Sequence, residues 1–90
     1  MTKFTMLDMS TGHISKKTNQ RLLNREIESV IYYDKPKYGY FIHIPEDLDE
    51  LEDVPDDLME CLKFAKKHKC DWINLDCDGE IYNELAAYNW

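Results

Sequence analysis

The stretch Val54–Gly79, VPDDLMECLKFAKKHKCDWINLDCDG, constrains the fold more than any other, because it reads as one helix feeding straight into one strand. Leu58, Cys61, Leu62 and Ala65 recur at i, i+3, i+4 and i+7 and lay a single apolar stripe along that helix. Pro55 suits the first turn, where a missing N–H costs nothing. Asp56, Asp57 and Glu60 fall at the positive end of the helix dipole, and Lys66, Lys67 and Lys69 at the negative end. The strand predicted over Trp72–Cys77 alternates: Ile73, Leu75 and Cys77 on one face, Trp72, Asn74 and Asp76 on the other.

Ninety residues supply one core, so residues 1–90 are expected to form a single α+β domain. A chain this short buries roughly 60–65% of the surface its unfolded form exposes, enough for a modest independent fold. No apolar run approaches the ~18 residues of a membrane span, and MTKFTMLDMS lacks the long apolar segment of a secretory signal. Cys61, Cys70 and Cys77 are odd in number and without CxxC spacing, which predicts reduced thiols in the cytoplasm. Cys61 on the helix stripe and Cys77 on the inward strand face are expected in the core.

The net charge of −7 is unevenly spread. Residues 1–45 carry seven Lys/Arg against four Asp/Glu, and residues 46–90 carry four against fourteen. So acidic a second half disfavours nucleic acid or anionic membrane as a partner and favours a basic protein surface.

In chain order, Phe4–Met9 is a short apolar strand that Ser10-Thr11-Gly12 breaks. Ser15 or Thr18 caps a helix reaching about Glu28, with Leu22, Leu23 and Ile27 as a thin stripe. Val30–Asp34 and Tyr38–Ile44, rich in β-branched and aromatic residues around Lys35-Pro36-Lys37, predict a hairpin that Pro45 ends. Glu46–Asp53 holds six acids in eight residues, as a loop or a frayed helical turn. After Gly79, the aromatics of the tail are expected to pack back on the domain.

The order β-α-β-β-α-β, joined by right-handed crossovers, predicts a split βαβ (ferredoxin-like) sandwich. Its four antiparallel strands would lie in the order 4-1-3-2 with both helices on one face. That topology gathers His13, Lys16, Lys17, Lys35, Lys37, Lys66, Lys67 and Lys69 at one end. Glu46–Asp57 would meet Asp76, Asp78 and Glu80 at the other, making an acidic pole.

Asp76-Cys77-Asp78-Gly79 is the most suggestive motif, since a DxD pair at a strand end can offer two carboxylates to a hard cation such as Mg²⁺. The run from Asn74 echoes an EF-hand opening but has Leu85 where the bidentate Glu belongs. A tight turn closing a strand accounts for the same residues. His13 beside Ser10 and Thr11 could serve as a general base, although the predicted topology sets it far from Asp76. His43 is expected half-buried and His68 on a helix flank. No zinc set, phosphate loop or nucleophile elbow is present, so binding outranks catalysis and no cofactor is expected. Lys37-Tyr38-Gly39-Tyr40-Phe41-Ile42 partly matches the third strand of an RNA-recognition motif, with Gly39 where the first stacking aromatic belongs.

Several short runs resemble a family of small bacterial proteins of unknown function, borne largely on plasmids, phages and other mobile elements. These are Leu7-x-x-Ser10-Thr11-x-His13-Ile14, Tyr38-Gly39-Tyr40-Phe41, Val54-Pro55-Asp56-Asp57-Leu58, Cys70-Asp71-Trp72, Asp76-x-Asp78-Gly79 and Leu85-x-x-Tyr88-x-Trp90. Glu46–Asp53 departs as extra acidic length, and Ala86-Ala87 and Asn89 depart in the tail. The resemblance implies a compact α+β protein and a mobile-element setting, and carries no activity.

Taken together, the expectation is an acidic cytoplasmic protein that occludes a basic, nucleic-acid-binding surface of a host protein, as an anti-restriction or anti-CRISPR inhibitor would. Asp47, Glu50, Asp53, Asp56 and Asp57, with Asp76 and Asp78 beside them, are the residues expected to bind the partner. A divalent-metal enzyme centred on Asp76 and Asp78, and single-stranded RNA binding by the strand aromatics, are the alternatives.

Overall fold

The computed structural model describes residues 3–90. Four strands and two α-helices follow one another as β1 (Met6–Ser10), α1 (Lys16–Leu23), β2 (Tyr32–Lys35), β3 (Gly39–His43), α2 (Asp56–Lys67) and β4 (Trp72–Asp76). Short 3-10 turns at Thr11–His13 and Leu48–Glu50 interrupt the connections.

The helix–strand unit forms where its periodicity puts it. In α2 Leu58, Cys61, Leu62, Phe64 and Ala65 are buried, and each large side chain among them stabilises by about 1.5–3 kcal/mol. Ile73 and Leu75 of β4 are fully buried beneath them. On the same side of the sheet lie Met9, Tyr32, Tyr40 and Ile42, joined into one core with Ile14, Leu22, Ile27 and Val30. Both helices therefore cover one face. β4 stops at Asp76, so Cys77 is exposed and not the core residue its parity predicted.

Helix α1 is capped by Ser15, whose Oγ accepts the Thr18 N–H. It ends at Leu23, short of Glu28, because Asn24 caps it and Arg25 turns into the left-handed region (φ 59°). Ile27 is buried all the same, carried by the loop that follows.

The sheet order is β1-β4-β3-β2. β1 and β4 run parallel, Met6 opposite Trp72 and Ser10 opposite Asp76, while β4–β3 and β3–β2 are antiparallel. This mixed sheet replaces the fully antiparallel 4-1-3-2 order of a ferredoxin-like sandwich. The reason lies in residues 44–55. β3 ends beside the start of β4, at the His43–Trp72 pair, and the following segment climbs back along the helical layer before α2 begins. Asp53 meets Ser29 partway, and Asp57 at the start of α2 meets Ser15. Helix α2 then descends and β4 rises, antiparallel to β3 and directly beside it.

The same path undoes the acidic pole. Asp76 pairs with Gly39 at one end of β3, whereas Asp47 follows His43 at the other. Lys66, near the end of α2, donates to the Pro45 and Glu46 carbonyls. Each predicted pole is thus mixed in sign. No helix among the described residues is long and apolar enough to cross a membrane.

Candidate functional site

The acids expected to bind a partner divide into those that hold the fold and those that face water. Asp57 accepts the Ser15 N–H at 2.6 Å and the Thr18 hydroxyl at 2.7 Å, fastening the first turn of α2 to that of α1. Asp53 accepts the Glu28 N–H at 2.7 Å together with the Ser29 hydroxyl and N–H. The Ser29 hydroxyl, then the two backbone donors, hold its carboxyl below the ordinary range. Asp47 accepts the Asp49 N–H at 3.0 Å and so caps a 3-10 turn. Glu50, Asp56 and Asp78 are exposed.

Two ion pairs exist among the described residues, Lys35–Asp76 at 2.5 Å and Arg25–Asp34 at 3.4 Å. All eighteen Asp and Glu lie within that range, and sixteen of them have no ion-paired cation among the described residues. Their field is therefore not cancelled internally, although it is spread along the helical layer and both ends of the sheet rather than gathered at one tip.

Asp76, Cys77 and Asp78 bring one ligand atom each within 4.8 Å of one another. The Asp76 carboxylate is already engaged on both oxygens. One takes the Lys35 ammonium at 2.5 Å and the other accepts the Asp78 N–H at 2.8 Å. The lysine, then that backbone donor, pull its carboxyl below the ordinary range. A cation would have to displace Lys35, which also donates to Asn74 at 2.6 Å. The geometry is that of a turn closing a strand.

His13 is not poised as a base. It is 2% exposed; Nδ1–H donates to the Ala86 carbonyl at 2.8 Å and Nε2 accepts the Tyr82 N–H at 2.9 Å. Both ring nitrogens thus clip the C-terminal tail. Tyr88 N–H to the Gly12 carbonyl and Trp90 Nε1 to the Ile14 carbonyl continue the seam. His43 is half-buried and edge-on to Trp72 at 5.1 Å, while His68 is exposed.

The feature that the charge argument passed over is the far face of the sheet, opposite the helices. Phe4, Met6, Tyr33, Phe41 and Trp72 line an open depression of about 350 Å³ there. Phe4 is 67% exposed, Tyr33 58% and Met6 46%. Tyr33 stacks on Trp72 at 6.1 Å. Toward the other end the face turns polar, with Asp8, Asn74 and the Lys35–Asp76 pair. The signal was present in strand parity, since Tyr33, Phe41 and Trp72 occupy positions opposite to the core residues of their strands. It was hidden because those strands, with apolar residues on both faces, look like buried ones.

The chain belongs to the family of unknown function DUF5983, whose C-terminal domain it matches over residues 6–90. No curated protein matches the chain, and neither does any solved structure.

Proposed function

We propose that the protein is a binding module that captures a basic surface of a partner protein and so keeps nucleic acid off that surface. The observation that carries this reading is the sixteen carboxylates with no ion-paired cation among the described residues, in a chain of net charge −7. Unpaired surface charge of one sign steers a complementary partner and repels phosphate. In a plasmid or phage setting such capture would take the form of anti-restriction or anti-CRISPR inhibition of a host protein. The lysine-held Asp76 and the clipped His13 leave the metal-enzyme alternative without a free carboxylate pair or a free base.

The acids to test are those with no structural employment. Glu46, Asp49, Glu50 and Glu52 are exposed and unpaired in the segment before α2. Reversing these four to Lys leaves the Asp53 and Asp57 contacts intact. Binding of a lysine-rich peptide, followed by calorimetry at about 0.15 M salt, where charges more than ~8 Å apart are screened, is expected to be lost. Displacement of a duplex oligonucleotide from that peptide should be lost with it. Unchanged binding would remove charge as the driving force.

A further inference from the structure

We infer that the open face of the sheet is the docking surface for this basic partner, and that it takes arginine side chains, which stack on Tyr33, Phe41 and Trp72. The inference rests on the basic-partner reading and adds where the partner sits and which of its residues is chosen. Both helices lie on the other face, so among the described residues nothing covers Phe4, Met6, Ile31 or Tyr33. A contiguous aromatic patch of this kind marks an interaction surface in a soluble protein.

Charge decides among the occupants. A second copy would bring two chains of net −7 together. A single-stranded nucleic acid could stack on the same rings, yet its phosphates would meet Asp8 on the face and the unpaired acids beyond. An arginine satisfies both halves of the surface. Its planar guanidinium is weakly hydrated and stacks on aromatic faces, while its charge is drawn by the acidic field. The face already holds one cation in this way, because Lys35 Nζ lies 4.9 Å from the centre of the Phe41 ring. Asp8, whose carboxylate accepts the Asn74 side-chain amide and the Glu80 N–H, adds a negative charge at the polar margin of the patch.

Two peptides of equal length and charge, one with arginine and one with lysine as its only cation, test this against the full chain by calorimetry and fluorescence. The arginine peptide is expected to bind roughly five- to tenfold more tightly. Tyr33→Ala and Trp72→Ala should each erase that preference by bringing the arginine peptide down to the affinity of the lysine peptide. Tyr33 is more than half exposed, so its variant keeps the fold even where Trp72→Ala does not. Equal affinity for the two peptides overturns the inference and spares the basic-partner reading. Failure of both peptides to bind removes that reading as well. Tyr33-dependent binding of an oligoribonucleotide, or a Tyr33-dependent dimer in sedimentation, also overturns the inference by giving the face a different occupant.

Discussion

Lys35 and Asp76 meet across the sheet at 2.5 Å, one at the end of β2 and the other at the end of β4, with Gly39 of β3 between them in register. The pair fixes Asp76 at the hairpin-turn end, away from the acids that follow β3. The ammonium is also the first cause holding the Asp76 carboxyl below its ordinary value of 3.8. Replacing Lys35 by Met is therefore expected to move the Asp76 titration back up toward that value. Carboxyl-carbon NMR reads the shift directly, and no movement would mean that the pair is not formed in solution.

Asp57 joins the two helices, and its loss should register as stability. Asp57→Ala strands the Ser15 N–H and the Thr18 hydroxyl, the latter on a residue 2% exposed. Leaving two such donors unmatched costs about 2–4 kcal/mol. Glu50→Ala, at an exposed residue, should stay within about 0.5 kcal/mol of the parent. Urea unfolding of the two variants side by side gives the comparison. An Asp57 variant as stable as the Glu50 one would show that the carboxylate is not fastening the helices.

How much of this was legible follows from how local each determinant is. Helix α2 and strand β4 could be read because the stripe from Leu58 to Ala65 and the alternation from Trp72 to Leu75 each lie within one element. The hairpin could be read because Lys35-Pro36-Lys37 sits between two β-rich runs. Strand order could not, since it depends on the path of residues 44–55, whose course is set by tertiary contacts such as Asp53 with Ser29 and Asp57 with Ser15. Charge composition says that carboxylates are exposed somewhere, but not which are consumed as caps. The aromatic face follows from parity once the core side of each strand is known, and that knowledge comes only with the sheet.

Gly39 permits β3 to lie against β4. Its φ is 151°, and a Cβ there would stand 1.8 Å from the Leu75 carbonyl oxygen. The obstacle is backbone in the centre of the sheet, so neither partner can yield without breaking the ladder. Gly39→Ala is expected to cost more than about 3 kcal/mol or to prevent folding, as thermal unfolding would report. A loss below 1 kcal/mol would show that β3 can shift away.

Acid sensitivity has a specific source in Asp53. Its folded-state carboxyl is depressed by the Ser29 hydroxyl and the backbone N–H groups of Glu28 and Ser29. A depressed carboxyl contributes stability that is fully present above its unfolded value, near 3.8, and is lost as pH falls through the lower folded value. Asp53→Asn should therefore flatten the decline of stability below about pH 4 and leave the slope above it unchanged. An identical acid limb in parent and variant would assign the decline to other carboxyls.

The three cysteines should separate by environment. Cys77 is exposed beyond the end of β4 and Cys70 is half-buried, with burial and then Asp71 pushing its thiol up. Cys61 is buried in α2, and burial followed by Asp57 and Glu60 pushes its thiol up to about 12. Only the thiolate is nucleophilic, so a thiol that is both buried and kept protonated reacts when the structure opens and not before. Alkylation at pH 8 followed by mass spectrometry is expected to label Cys77 first, Cys70 more slowly and Cys61 only in denaturant. Rapid labelling of Cys61 in the native protein would mean that α2 lifts from the sheet far more readily than its buried stripe allows.

A single side chain, His13, holds the C-terminal tail at two points. His13 takes the Tyr82 N–H on one ring nitrogen and gives its other proton to the Ala86 carbonyl. Replacing it with Ala removes an acceptor and a donor and opens a space where a 2% exposed ring stood. The Ser10–Glu80 bond before the clip and the Tyr88–Gly12 and Trp90–Ile14 bonds after it would remain, each at 2.7–2.8 Å, so the tail should loosen between Tyr82 and Ala87 while its two ends stay attached. Hydrogen exchange separates this from general destabilisation. The Tyr82 amide should lose most of its protection in His13→Ala, whereas the Ile73 and Leu75 amides of β4 should change only by the overall loss of stability, about 2–4 kcal/mol. If the Tyr82 amide falls no further than those of β4, the ring is a core filler and the tail is held by its other bonds, among them the Ser10 N–H to the Glu80 carbonyl and the Tyr82 hydroxyl to the Asp8 carbonyl.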